Sequence, residues 1–72
     1  MTIQEINDTI KTNVPELNIQ IKGTSTIWIE TTKGRYTLSF NPKTEKLNLY
    51  SVRRSESTFH KTIAQVLAAL PS

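Results

Sequence analysis

From Leu17 to Leu49 the apolar residues fall on alternate positions in four short runs: Leu17, Ile19 and Ile21; Ile27 and Ile29; Tyr36, Leu38 and Phe40; Leu47 and Leu49. A period of two sends successive side chains to opposite faces of a pleated strand, so each run predicts a strand with one apolar and one polar face. The segments between the runs form turns. Gly23-Thr24-Ser25 reads as a short loop, Lys33-Gly34 as a two-residue hairpin, and Asn41 to Lys46 as a longer turn in which Pro42 supplies a fixed φ. Connections this short join neighbouring antiparallel strands, which predicts a four-stranded meander.

The period is helical at both ends of the chain. Thr2-Ile3-Gln4-Glu5 has the form of a capping box, and Ile3, Ile6 and Ile10 recur at helical spacing until Val14-Pro15 interrupts them, which predicts a helix over about residues 3–12. Phe59, Ile63, Val66, Leu67 and Leu70 form a second helical stripe, with Ser55 or Ser57 as the expected N-cap and Pro71 as the stop. The predicted fold is α+β, in the order α-β-β-β-β-α, with both helices packed on the apolar face of the sheet.

Counting outward from Lys33-Gly34 pairs Thr32 with Arg35, Glu30 with Thr37 and Trp28 with Ser39; the next turn sets Leu38 beside Leu49 and Thr37 beside Tyr50. The face away from the helices then carries Asn18, Gln20, Lys22, Thr26, Trp28, Glu30, Arg35, Thr37, Ser39, Asn48, Tyr50 and Val52. It is polar except for Val52 and two large aromatics. A solvated aromatic on a sheet face invites a stacking or packing partner, which makes Trp28 and Tyr50 candidate partner-binding residues; the competing reading is that they steady cross-strand neighbours or a homodimer contact.

Seventy-two residues give room for a single domain over residues 1–72, with a thin core for which self-association is a natural reinforcement. The chain has no cysteine, so disulfides and thiolate metal sites are excluded and a reducing compartment is expected. The segment Met1 to Glu5 has neither a basic region nor an apolar stretch, and no run approaches the ~20 apolar residues needed to span a bilayer. A cytoplasmic protein without a membrane partner is the expectation.

Charge is uneven along the chain. Residues 1–32 carry Lys11 and Lys22 against Glu5, Asp8, Glu16 and Glu30, a net of −2, whereas residues 33–72 carry seven Lys and Arg against Glu45 and Glu56, a net of +5. The basic half predicts an acidic partner, either nucleic acid or an acidic protein surface. Lys33, Arg35, Arg53 and Arg54 are expected to converge at one end of the sheet. With the second helix starting after Arg54, its first N–H groups, the hydroxyls of Ser55 and Ser57 and the Arg53-Arg54 pair would make an anion site at a helix N-terminus.

Signatures of catalysis are missing. His60 is the only histidine, Ser55 and Ser57 are better read as caps, no two carboxylates are forced together, and Gly23 and Gly34 fall in turns rather than in a phosphate loop. Neither an enzyme nor a cofactor is expected. The helix-strand-strand-strand-helix layout resembles the double-stranded-RNA-binding arrangement, also used by small toxins that cut messenger RNA, with Lys22 to Thr26 near their active strand. Those toxins carry a histidine there, where this chain has Thr and Ser, and the fourth strand is an addition, so the resemblance implies layout and no activity. The functional expectation is a non-enzymatic nucleic-acid-binding module that uses the basic end and the Trp28/Tyr50 face. The alternative is a protein-binding inhibitor or adaptor, of the small kind encoded by phages and mobile elements, that covers a surface of a host complex.

Overall fold

The computed structural model describes residues 1–70. Seven elements follow one another: α1 (Ile3–Asn13), β1 (Asn18–Lys22), β2 (Thr26–Thr31), β3 (Gly34–Asn41), β4 (Lys46–Ser51), β5 (Glu56–His60) and α2 (Ile63–Ala69). The strands form one antiparallel sheet in the order β1-β2-β3-β4-β5. The α+β class, the antiparallel meander and the two helices match the reading of the sequence. The strand count does not: the sheet has five strands, not four.

The additional strand is β5, in the segment assigned to the start of the second helix. Phe59 mimics a helical spacing with Ile63, Val66 and Leu70, but α2 begins only at Ile63. Its cap is Thr62, whose Oγ1 accepts the N–H of Gln65 at 3.2 Å while the Gln65 side chain accepts the N–H of Lys61 at 2.8 Å. This is a Thr-x-x-Gln pairing of the capping-box type. Ser55 and Ser57 are therefore not caps. Ser55 ends the β4–β5 turn with φ +56°, and Ser57 lies within β5. Pro71, the expected stop, lies outside the described residues.

The β2–β3 hairpin turns one residue earlier than predicted. Its loop is Thr32-Lys33, with Thr31 opposite Gly34. Thr31 Oγ1 ties the turn, donating to the Gly34 carbonyl at 2.8 Å and accepting from the Lys33 N–H at 3.1 Å. Gly34 has φ +129°, and a Cβ there would stand 3.2 Å from Arg53 Cβ, so both conformation and crowding require glycine. The register moves by two positions: Glu30 faces Arg35, Trp28 faces Thr37 and Ile27 faces Leu38. An even shift keeps every side chain on its predicted face. The β3–β4 register is as predicted, with Leu38 opposite Leu49 and Thr37 opposite Tyr50.

The core lies between the helices and one face of the sheet. Ile6 and Ile10 of α1, Val66 of α2, and Ile27, Ile29, Leu38 and Leu47 of the sheet are fully buried together, with Ile19, Phe40, Leu49 and Leu70 closing the cluster. Thr2 caps α1 as the sequence indicates, its Oγ1 accepting the Glu5 N–H at 3.2 Å, and the helix ends where Val14 leaves helical φ/ψ before Pro15. No helix among the described residues is long and apolar enough to cross a membrane.

Candidate functional site

The open face is organised in cross-strand rows. One row runs Gln20, Trp28, Thr37, Tyr50, Ser57, and the next runs Lys22, Thr26, Ser39, Asn48, Phe59. Toward the β2–β3 hairpin follow Asn18, Glu30 and Arg35. The face thus carries three aromatics, and Phe59, which the sequence reading placed in the helical stripe, is the most exposed at 70 %. Trp28 and Tyr50 are exposed at 39 % and 37 %. No aromatic stands directly opposite another: their neighbours across the strands are threonine, glutamine, serine and asparagine.

Cations frame Trp28. Lys22 Nζ lies 4.7 Å and Arg35 Cζ 5.3 Å from its ring centroid, distances at which the ring quadrupole attracts a positive charge. Arg35 also pairs with Glu30 across the hairpin, Nη2 to Oε1 at 2.8 Å. Both side chains are half exposed, so the pair contributes roughly 0–1 kcal/mol to stability and serves mainly to orient the guanidinium. Glu30 is the one carboxylate in these rows, and Arg35 already partly neutralises it. Phe59 borders a shallow hollow of about 360 Å³ shared with Ser39, Asn41, Thr44, Lys46 and Asn48. The Asn48 Oδ1 is buried there without a hydrogen-bond partner.

At the hairpin end of the sheet the predicted cations separate into two sites. Lys33, Arg53 and Arg54 line one cavity of about 520 Å³ together with Tyr36, Ser51 and Ala69. Arg53 Nη1 donates to the Lys33 carbonyl at 3.2 Å, fastening the β4–β5 turn to the β2–β3 hairpin. Arg35 does not join them, since it projects from the open face toward Trp28 and Glu30. Nor do Ser55 and Ser57, which are not among the residues lining the cavity. The predicted helix N-terminus is absent from this end. Because β5 runs back along the sheet before α2 starts, it is the last turn of α2, through Ala69, that borders the cations.

His60, at the far end of β5, is within 2.7 Å of Thr58 Oγ1 through Nε2. Among the described residues no group of three or more His, Asp or Glu side chains is arranged to hold a metal ion. No family model matches the chain, and no curated protein or solved structure is significantly similar to it.

Proposed function

We propose that the protein is a non-enzymatic binding module that takes single-stranded nucleic acid on the open face of its sheet. The observation that carries this reading is the combination on one face of three exposed aromatics, Trp28, Tyr50 and Phe59, with Lys22, Arg35 and Lys46 and a single, already paired carboxylate. Aromatic rings accept the face of any base, cations accept the backbone, and interleaved amides and hydroxyls bond to base edges. A duplex buries its base faces, so a stacking surface selects unpaired strands. The absence of cysteine agrees with action in a reducing compartment such as the cytoplasm.

Titration of a labelled single strand by fluorescence anisotropy over a range of salt concentrations tests the reading. Log affinity should fall with log salt by roughly 0.7 per phosphate neutralised, and a duplex of the same sequence should bind more weakly. Absence of binding at low salt, or equal affinity for the duplex, refutes it.

A second reading rests on β5. It is an edge strand whose residues are almost all exposed, so one side of its backbone is free to pair with an added strand. On that reading the chain is a protein-binding inhibitor or adaptor, of the kind phages and mobile elements encode, and the partner aligns along β5 against Phe59. Ser57 and Phe59 turn their N–H groups to the free edge, whereas Thr58 bonds back to Leu49, so a protein that binds no nucleic acid but loses its partner on a proline substitution at Ser57 would establish it.

A further inference from the structure

The cavity at Lys33, Arg53 and Arg54 lies around the rim from the stacking face. Arg35 points from β3 onto the open face, whereas its neighbour Tyr36 turns to the helix side and enters the cavity wall. The inner wall is closed by Ser51, which is buried, and by Ala69 at the end of α2. The open face is a continuous surface, whereas this cavity is walled on its inner side.

Its chemistry is that of an anion receptor. None of the six lining residues is acidic, and Lys33, Arg53 and Arg54 form no ion pair among the described residues. The Arg53 guanidinium is already oriented by the Lys33 carbonyl, so little further ordering is needed when an anion arrives. Ser51 Oγ accepts the Arg54 N–H at 3.3 Å, which leaves its own proton to donate. Glu56 lines a recess of about 110 Å³ that continues the cavity, sharing Tyr36, Ser51, Arg54 and Ala69 with it, so one carboxylate borders the three cations. Lys33, Arg53 and Arg54 together outweigh Glu56 and the partial negative charge at the C-terminal end of α2, a positive balance that suits a dianion better than the single charge of an internal phosphodiester, and arginine offers a bidentate fork for phosphate. A volume of about 520 Å³ also exceeds what a bare phosphate needs and has room for the sugar that carries it.

We propose that this cavity seats a terminal phosphomonoester, the phosphorylated end of the strand whose bases lie on the open face; the strand itself rests on the function proposed above. Loop 32–33 and turn 52–55 thereby set where the strand starts on the face, and Arg35 stands between the end group and the first stacked base.

The test compares one single-stranded oligonucleotide in three forms, with a 5′-phosphate, a 3′-phosphate and hydroxyls at both ends, by anisotropy at fixed salt. One phosphorylated form should bind at least tenfold more tightly than the hydroxyl form. Arg54→Gln, and independently Lys33→Gln, should abolish that preference, leave the affinity of the hydroxyl form nearly unchanged and keep the thermal midpoint. Inorganic phosphate and a nucleoside monophosphate, titrated separately and followed by amide NMR, should shift Lys33 and Arg54, with the nucleotide also reaching Tyr36. Equal affinity of all three strands overturns the end seat and leaves the open-face reading standing. If no strand binds yet phosphate still shifts these amides, the open-face reading falls and the phosphate site stands. Absence of any shift with either small anion, or retention of the end preference in both variants, overturns the site.

Discussion

Phe59→Ala separates the two roles that residue could have, because they predict opposite patterns of stability and binding. Phe59 is 70 % exposed, so about three tenths of its side chain is covered. Full burial of such a side chain contributes roughly 1.5–3 kcal/mol, so truncation should cost about 0.5–0.9 kcal/mol. Had Phe59 belonged to the core stripe of a helix, as its spacing to Ile63 and Val66 suggests, the loss would be about 3–5 kcal/mol, a large share of the total for a chain of this size. Binding should show the reverse. Loss of one stacked base removes roughly 1–3 kcal/mol, or about 5- to 150-fold in Kd. Urea denaturation followed by circular dichroism reads the first quantity, and anisotropy with a single strand reads the second. Destabilisation beyond about 3 kcal/mol would put Phe59 in the core, and an unchanged Kd with intact folding would remove it from the binding surface.

Leu38→Ala, at a fully buried position between Ile27 and Leu49, should cost about 2–5 kcal/mol in urea denaturation; a loss under 1 kcal/mol would reverse the assignment of the two faces. Ser55→Gly should raise stability by about 0.5–1 kcal/mol, since Ser55 holds φ +56°, whereas glycine at a true N-cap would leave stability unchanged or slightly lower it; a fall in the thermal midpoint would contradict the turn. Glu30→Gln removes the one carboxylate from the rows of the open face and releases Arg35, so single-strand affinity should rise severalfold with at most about 1 kcal/mol of destabilisation, and weaker binding would show that Glu30 itself contacts the partner.

Most of the fold was legible because its signals are local. The alternation of Leu17, Ile19 and Ile21 or of Tyr36, Leu38 and Phe40 depends on which face is buried, and the register slip at the hairpin did not disturb that, being two residues long. The slip involves a contact distant in sequence: Gly34 sits in β3 rather than in the loop, with φ +129° and its backbone close to Arg53, 19 positions further on. The turn into β5 was hidden for a different reason. Val52-Arg53-Arg54-Ser55 contains no Gly, Pro or Asn, yet it closes as Pro42-Lys43-Thr44-Glu45 does, each with its last residue near φ +56°. The corrective signal was Thr62-Ile63-Ala64-Gln65, a second capping pattern that places the helix start after Phe59 rather than before it. Missing it moved Phe59 to the wrong face and a helix N-terminus to the wrong end of the sheet. Trp28 and Tyr50 were correctly placed on the open face, but the cations framing Trp28 come from β1 and β3 and were not foreseen as a group.

The arrangement of the aromatics weighs against a purely structural role for them. Where aromatic side chains stabilise a sheet they do so most effectively as direct cross-strand pairs, each contributing roughly 0.2–1 kcal/mol over alanine. Here Trp28 and Tyr50 both face the β-branched Thr37, with Gln20 and Ser57 on their other sides, but no aromatic faces another and Phe59 faces only Asn48. The two helices, 11 and 7 residues long, pack on the opposite side; neighbours on the open face cover more than half of Trp28 and Tyr50, and Phe59 is left largely in water. The rings are spread over three strands and separated by hydroxyl and amide groups. For Phe59 this adds little to the isolated fold, yet a ligand presenting several flat groups along a charged backbone meets a ring, a polar edge and a cation in turn. The strands fix those positions more firmly than loops would, so a partner that fits them finds a surface already ordered, and little of its binding energy is consumed in arranging the protein.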